Sequence, residues 1–172
     1  MRSYMGTYFL IVSRLVPNKR IDVAVEAFNK LGFPLKIVGT GREEQKLKSL
    51  AKSNIEFLGN LTDEELRKYY QSCLALIVPG VEDFGIVSVE AQSFGKPVVA
   101  LRAGGSTETV IEGKTGWFFD RQTPESLADV ISGIKLESID EKICISNAQR
   151  FSRERFKKEF LSYVEEQFLR FH

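Results

Sequence analysis

Histidine is almost missing from this chain of 172 residues: the single one is His172, the last residue. That scarcity excludes Ser-His-Asp and Cys-His catalysis and any histidine-based zinc site. Chemistry here must rest on carboxylates, cations and backbone amides. Cysteine is scarce as well. Cys73 and Cys144 stand far apart without CxxC spacing, and nothing at the start follows the charged, apolar, small-residue order of a signal peptide. This reads as a reduced, cytoplasmic chain. Long apolar runs are lacking too, since stretches such as 74–79 and 97–101 fall far short of the roughly 20 residues a membrane-spanning helix needs. Finally, neither charge dominates: 24 basic and 23 acidic side chains nearly cancel. No electrostatic footprint remains for a nucleic acid polymer or an acidic membrane surface, and positive charge that matters must be local.

What is present points to one domain over residues 1–172. With 43% hydrophobic residues and thirteen phenylalanines, the chain can bury a sizeable core. Short apolar runs at 8–13, 35–38, 55–58, 74–78, 97–101 and 116–119 suit strands buried on both faces. Stretches of helical periodicity at 21–31, 42–52, 63–72, 86–94, 107–112 and 125–136 lie between or after them. The alternation predicts an α/β fold, a Rossmann-like doubly wound parallel sheet of about six strands. Thr62 with Glu65 three residues on, and Pro124 after Thr123, mark two helix starts. After residue 136 the strands stop, so a core over about 8–136 is followed by C-terminal helices at 139–150 and 153–171. In the last of these Phe156, Phe160, Tyr163, Val164, Phe168 and Phe171 form a stripe at helical spacing. The simpler expectation is that this stripe packs on the domain itself; the other is that it meets a second domain or partner.

In an open parallel sheet, ligands bind outside the carboxyl ends of the strands, where helix N-termini offer free amides. The segment after the first strand, Ser13 to Arg20, holds three cations, Arg14, Lys19 and Arg20. It is either a metal-free diphosphate site or a solvated basic loop. Gly39-Thr40-Gly41 after the second strand lacks the third glycine of a dinucleotide fingerprint, Glu44 standing in its place, so a hydride-transfer cofactor is not indicated. Gly113-Lys114-Thr115 resembles the tail of a P-loop, but Glu108 occupies the earlier glycine position and a strand follows instead of a helix. After the fourth strand, Glu82 sits in a loop, Gly85 at a helix start and Glu90 about one turn inside it. Such a set suits a ligand with both phosphate oxygens and hydroxyls; by spacing alone the simpler reading of the two carboxylates is a pair of solvated surface charges. The run from Ala103 to Glu108 is expected to enter a helix with a serine or threonine cap and to close the other wall of the same crevice.

Taken together, SRLVPNK, KIVGTG, IEFLGNLTDEEL, EDFGIVSVEAQSFGKPVVA and GGSTETVIEGKTGWFF resemble the C-terminal domain of the group 1 (family 4) retaining glycosyltransferases. The GT-B architecture of that family sets two Rossmann-like domains across a cleft. The resemblance implies a donor-binding domain that takes a nucleotide sugar as substrate, with no metal and no other cofactor. Arg14 and Lys19 match the cations that hold the donor diphosphate, and Glu90 matches the glutamate that accepts hydrogen bonds from the ribose. Leu61 matches the backbone contact to the base. Glu82 matches the catalytic-site glutamate beside the donor sugar, and the amides of Phe84, Gly85 and Ile86 match those touching sugar and phosphate. Retention in the family is explained by front-face attack with the leaving phosphate taking the acceptor proton, so Glu82 would orient the sugar and stabilise charge without acting as a nucleophile.

The wording EDFGIVSVEAQ, GGSTETV, TGWFF and RFSRERF is similar to members that transfer mannose from GDP-mannose in polysaccharide or glycolipid assembly. Three departures stand out. Arg20 occupies a place where many members have glycine and would add a diphosphate contact. The segment from Pro79 to Glu82 is one residue short, which would shift Glu82 slightly, and Arg153 replaces a common tryptophan. The resemblance also implies an N-terminal acceptor-binding domain, in cis or in trans, without which the domain would bind donor but transfer nothing. Through that domain the full enzyme would associate peripherally with the inner face of the membrane. A non-catalytic nucleotide-sugar-binding module or partner subunit is the alternative.

Overall fold

The computed structural model describes residues 7–171; His172 and residues 1–6, where the resemblance places an interdomain crossing, lie outside them. Six strands form one parallel sheet: β1 (Tyr8–Val12), β2 (Leu35–Val38), β3 (Ile55–Gly59), β4 (Cys73–Val78), β5 (Val98–Leu101) and β6 (Gly116–Phe119). Their order is β3-β2-β1-β4-β5-β6. The helices are α1 (Ile21–Leu31), α2 (Glu44–Leu50), α3 (Asp63–Ser72), α4 (Ile86–Ser93), α5 (Ser106–Thr109), α6 (Pro124–Gly133), α7 (Glu141–Gln149) and α8 (Arg153–Arg170). Because side chains alternate across a strand, Phe9 and Ile11 enter one core with α1 and α6, while Tyr8 and Leu10 enter the other with Tyr70 of α3 and Ala91 of α4. Both faces are thereby covered, as an all-parallel sheet requires. The order reverses at β1 and β4, which places the crevice for a ligand at their carboxyl ends.

Several helix limits differ from the periodicity, each for a local reason. α2 starts at Glu44 and not at 42, because the Glu43 amide donates to the Leu15 carbonyl at 3.0 Å and that of Glu44 to Gly41 at 3.1 Å. It ends before 52, where Asn29 donates to the Leu50 carbonyl and accepts from the Lys52 amide. α6 stops at Gly133, Ile134 being extended, and residues 136–138 make a separate 3-10 turn. The helix expected at 107–112 is a single turn, and its cap is Gly105 with no side-chain hydrogen bond, against the expected serine or threonine. The hydroxyls of Thr107 and Thr109 turn back instead to the carbonyls of Gly104 and Gly105. The capping box at Thr62 forms with both of its bonds, Glu65 amide to Thr62 Oγ1 and Thr62 amide to Glu65 Oε2.

α4, α5 and α7 are joined by a buried polar cluster. Gln92 Nε2 donates to the Thr109 carbonyl at 2.8 Å, and Asn147 Nδ2 reaches Gln92 Oε1 at 2.6 Å and the same carbonyl at 2.8 Å. Replacing Asn147 by leucine would leave the Gln92 oxygen without a donor in a site closed to water. We expect Asn147→Leu to cost about 1–3 kcal/mol of stability, read as a lower urea midpoint at unchanged slope; an unchanged midpoint would show the cluster to be dispensable.

The last helix corrects the simpler expectation for the aromatic stripe. All of α8 is exposed except Gln167, and Phe156, Phe160 and Phe168 are 65%, 54% and 62% exposed. The stripe is therefore not buried against the described residues of this domain. Lateral ion pairs, Arg155 with Glu159 and Arg170 with Glu166, support the helix along its own length. Among the described residues no helix is long and apolar enough to cross a membrane.

Candidate functional site

The loops that leave β1 and β4 meet at the point where the strand order reverses. After β1, Pro17–Lys19 folds as a 3-10 turn with Pro17 at its first position and Val16 extended before it, as a residue preceding proline prefers. The loop after β4 runs along the backbone of that turn. A β-carbon at Gly80 would lie 2.7 Å from the Lys19 carbonyl oxygen, so only glycine allows this approach. The result is a close ion pair: Lys19 Nζ lies 2.6 Å from Glu82 Oε2, with both side chains 18% exposed.

A second seam joins the loops after β4 and β5. The Gly105 amide donates to the Glu82 carbonyl at 2.7 Å, and Glu82 pairs with Gly104 as an isolated parallel bridge. At Gly105 a β-carbon would stand 2.5 Å from the Phe84 backbone. The β5 loop therefore does form the second wall of the crevice, held by backbone rather than by a cap. At its floor α4 begins after Gly85, which is left-handed (φ 82°), and no side chain caps the helix. Its first turn thus keeps its N-terminal partial charge for a ligand. Phe84 and Ile86 are exposed beside it, and the Phe84 ring meets Phe151 edge to face at 5.5 Å.

Glu90 lies in the second turn of α4 and is exposed. Its Oε2 accepts a hydrogen bond of 2.9 Å from the hydroxyl of Tyr70 on α3. Burial first, then the charge and hydrogen bond of Glu90, drive the Tyr70 phenol well above its ordinary range, so Tyr70 is a permanent donor here. The two glutamates are accordingly tied to different partners, Glu82 to a cation and Glu90 to a phenol. Arg14 is exposed after β1 and makes no ion pair among the described residues. Its loop is fastened to that of β2 by Leu15 amide to Thr40 carbonyl at 2.9 Å. The Gly39-Thr40-Gly41 segment is therefore part of a loop-to-loop seam. Leu61 follows β3 with its side chain against the second core face. Beside it Thr40 Oγ1 donates to Asn60 Oδ1 at 3.4 Å.

The group 1 glycosyl transferase profile matches residues 4–151. The chain belongs to this family of glycosyltransferases. Among its relatives, an uncharacterised glycosyltransferase of Methanocaldococcus jannaschii is 32% identical over 149 residues, covering 84% of this chain and 42% of that protein. A GDP-mannose-dependent α-(1-6)-phosphatidylinositol monomannoside mannosyltransferase of Mycobacterium tuberculosis is 31% identical over 144 residues, covering 73% and 37%. Anabaena HepE in complex with UDP shares the fold with a TM-score of 0.80 at 24% identity, over 94% of this chain and 49% of that one. The chain spans roughly two fifths of the length of the two curated relatives.

Within this glycosyltransferase domain, some features had no sequence signal. Tyr70 and Glu90 are twenty residues apart on different helices, and no spacing rule joins them. The Arg20 guanidinium, expected at a diphosphate, is bound to Asp22 and Gln122. Thr115 of the rejected P-loop match is buried, its hydroxyl accepting from the Ile111 amide in the turn before β6. Burial pushes the thiols of Cys73 and Cys144 up to about 12, far from a working nucleophile. Among the described residues no group of three His, Cys, Asp or Glu side chains converges as a metal site.

Proposed function

We propose that this chain is the donor-binding domain of a retaining hexosyltransferase that moves mannose from GDP-mannose to a glycan or lipid-linked acceptor, with no metal. The observation that carries the reading is the Lys19–Glu82 pair at 2.6 Å beside the uncapped start of α4. A departing nucleoside diphosphate gathers negative charge. Lys19, Arg14 and the amides of Phe84, Gly85 and Ile86 supply preorganised positive charge where it gathers, which is the service a metal gives elsewhere. Glu82 orients the sugar and stabilises the positive charge that develops on it. Glu90 has one oxygen held by Tyr70 and its other free to accept from ribose hydroxyls. The base lies against the backbone at Leu61. The acceptor hydroxyl attacks the face the diphosphate leaves, and a phosphate oxygen takes its proton.

Mannose and guanine are favoured by the likeness to the mycobacterial GDP-mannose-dependent enzyme. The UDP complex of the Anabaena fold neighbour makes the base the point to test. An acceptor-binding half, in cis or in trans, completes the cleft of a cytoplasmic enzyme, and the exposed aromatic face of α8 supports a partner of that kind. Calorimetric titration with GDP-mannose, UDP-glucose and ADP-glucose tests the whole reading. GDP-mannose is expected to bind most tightly, with no transfer by the domain alone. Preference for a UDP sugar would overturn the mannose assignment only, whereas no binding at millimolar concentration would overturn the donor site.

A further inference from the structure

We propose that Arg20 and Gln122 are positioning residues that latch the loop of Lys19 onto the loop of Glu82. Arg20 follows Lys19 directly and is the one non-glycine among the described residues with a left-handed backbone, φ 51° and ψ 40°. A side chain there costs free energy that glycine would avoid, so its contacts must return something that glycine cannot. All three guanidinium nitrogens are engaged. Nε and NH2 grip the Asp22 carboxylate at 3.1 and 3.2 Å, and NH1 donates to Gln122 Oε1 at 3.2 Å. Gln122 spends its amide nitrogen on the Pro79 carbonyl at 3.1 Å.

These bonds make a continuous chain. It runs from Asp22 in the first turn of α1, through Arg20, to Gln122 in the loop after β6, and on to Pro79, three residues before Glu82. Behind Lys19 its own amide is bonded to the Val16 carbonyl at 3.0 Å. Lys19 is therefore fixed on both sides, and its backbone is pressed against Gly80 of the opposite loop. Such a latch leaves little conformational freedom to lose when an anion arrives at the ammonium group. Neither residue needs to touch the ligand. Their effect passes through Lys19, so the inference rests on the reading that Lys19 receives the donor diphosphate.

The test is calorimetry with GDP, or with UDP if the sugar titrations select it, on the wild type, Gln122→Met, Arg20→Gly, Lys19→Ala and the double variant Lys19→Ala/Gln122→Met. Gln122→Met and Arg20→Gly are each expected to weaken diphosphate binding about three- to tenfold. Arg20→Gly, which relieves the left-handed strain, is expected to keep or raise the melting midpoint while affinity falls, a split that a purely structural role would not produce. In the Lys19→Ala background Gln122→Met is expected to change affinity less than twofold, since neighbours acting through one group are not additive. Wild-type affinity in both single variants overturns the latch, and so does an undiminished Gln122→Met effect without Lys19. If Lys19→Ala itself leaves affinity unchanged, the assignment of Lys19 falls and takes the latch with it.

Discussion

If the proposed donor site is right, glutamine in place of Glu82 is expected to slow sugar transfer about 10²- to 10³-fold once the acceptor-binding half is present. The exchange keeps shape and removes charge. In the wild type the carboxylate sits 2.6 Å from Lys19 with only 18% of its side chain exposed, so bulk water does little to screen it. As the bond to the diphosphate stretches, positive charge grows on the sugar, and a fixed carboxylate nearby stabilises that state more than the ground state. The loss should therefore fall on kcat, with the donor KM changed far less. The melting midpoint is expected to stay close to wild type because the Glu82 carbonyl, which holds the Gly105 amide, belongs to the backbone. Steady-state assays with the proposed acceptor-binding half in place settle it: a kcat within a few-fold of wild type would remove Glu82 from the reaction.

Lys19→Ala is expected to weaken nucleoside diphosphate binding about ten- to a hundredfold, the worth of one hydrogen bond to a charged group. Two effects add in this estimate. The ligand loses its least exposed cation, and Glu82 loses the partner that balances it. Arg14 is exposed and cannot compensate, since salt screens a solvated charge much more than a recessed one. Because one fewer cation contributes to the salt slope, the affinity left in the variant should fall less steeply with added salt than that of the wild type. Calorimetry at two ionic strengths reads both quantities; a loss below twofold would mean that the diphosphate binds elsewhere.

Much of this fold is legible because strands covered on both faces read as unbroken apolar runs. The run at 35–38 and the strand Leu35–Val38 coincide, and the capping box at Thr62 marks the start of α3 directly. Helix ends were less legible wherever a tertiary hydrogen bond competes with the helix, as the Leu15 carbonyl does for Glu43. The site divides in the same way. Lys19, Glu82 and Glu90 stand in local motifs, the first two in loops that follow a strand and the third one turn inside the next helix. Tyr70 and Gln122 act over twenty and over a hundred residues of sequence, and nothing local announces either. The spacing that makes Phe156 and Phe160 one stripe defines a face of α8 but is silent on what that face meets.

The pairing of Lys19 with Glu82 also bears on discrimination. Before any ligand arrives, the less exposed cation of the crevice, Lys19, is already paired with Glu82, so an anion drawn to it must displace a carboxylate as well as shed its water. Inorganic phosphate can take the lysine but leaves the glutamate stranded beside it. On the proposed reading, a sugar joined to a diphosphate would engage both at once, hydroxyls toward the carboxylate and phosphate toward the ammonium group. The empty site would thus behave as an ion exchanger with a two-part key, poorly poisoned by the abundant small anions of a cell.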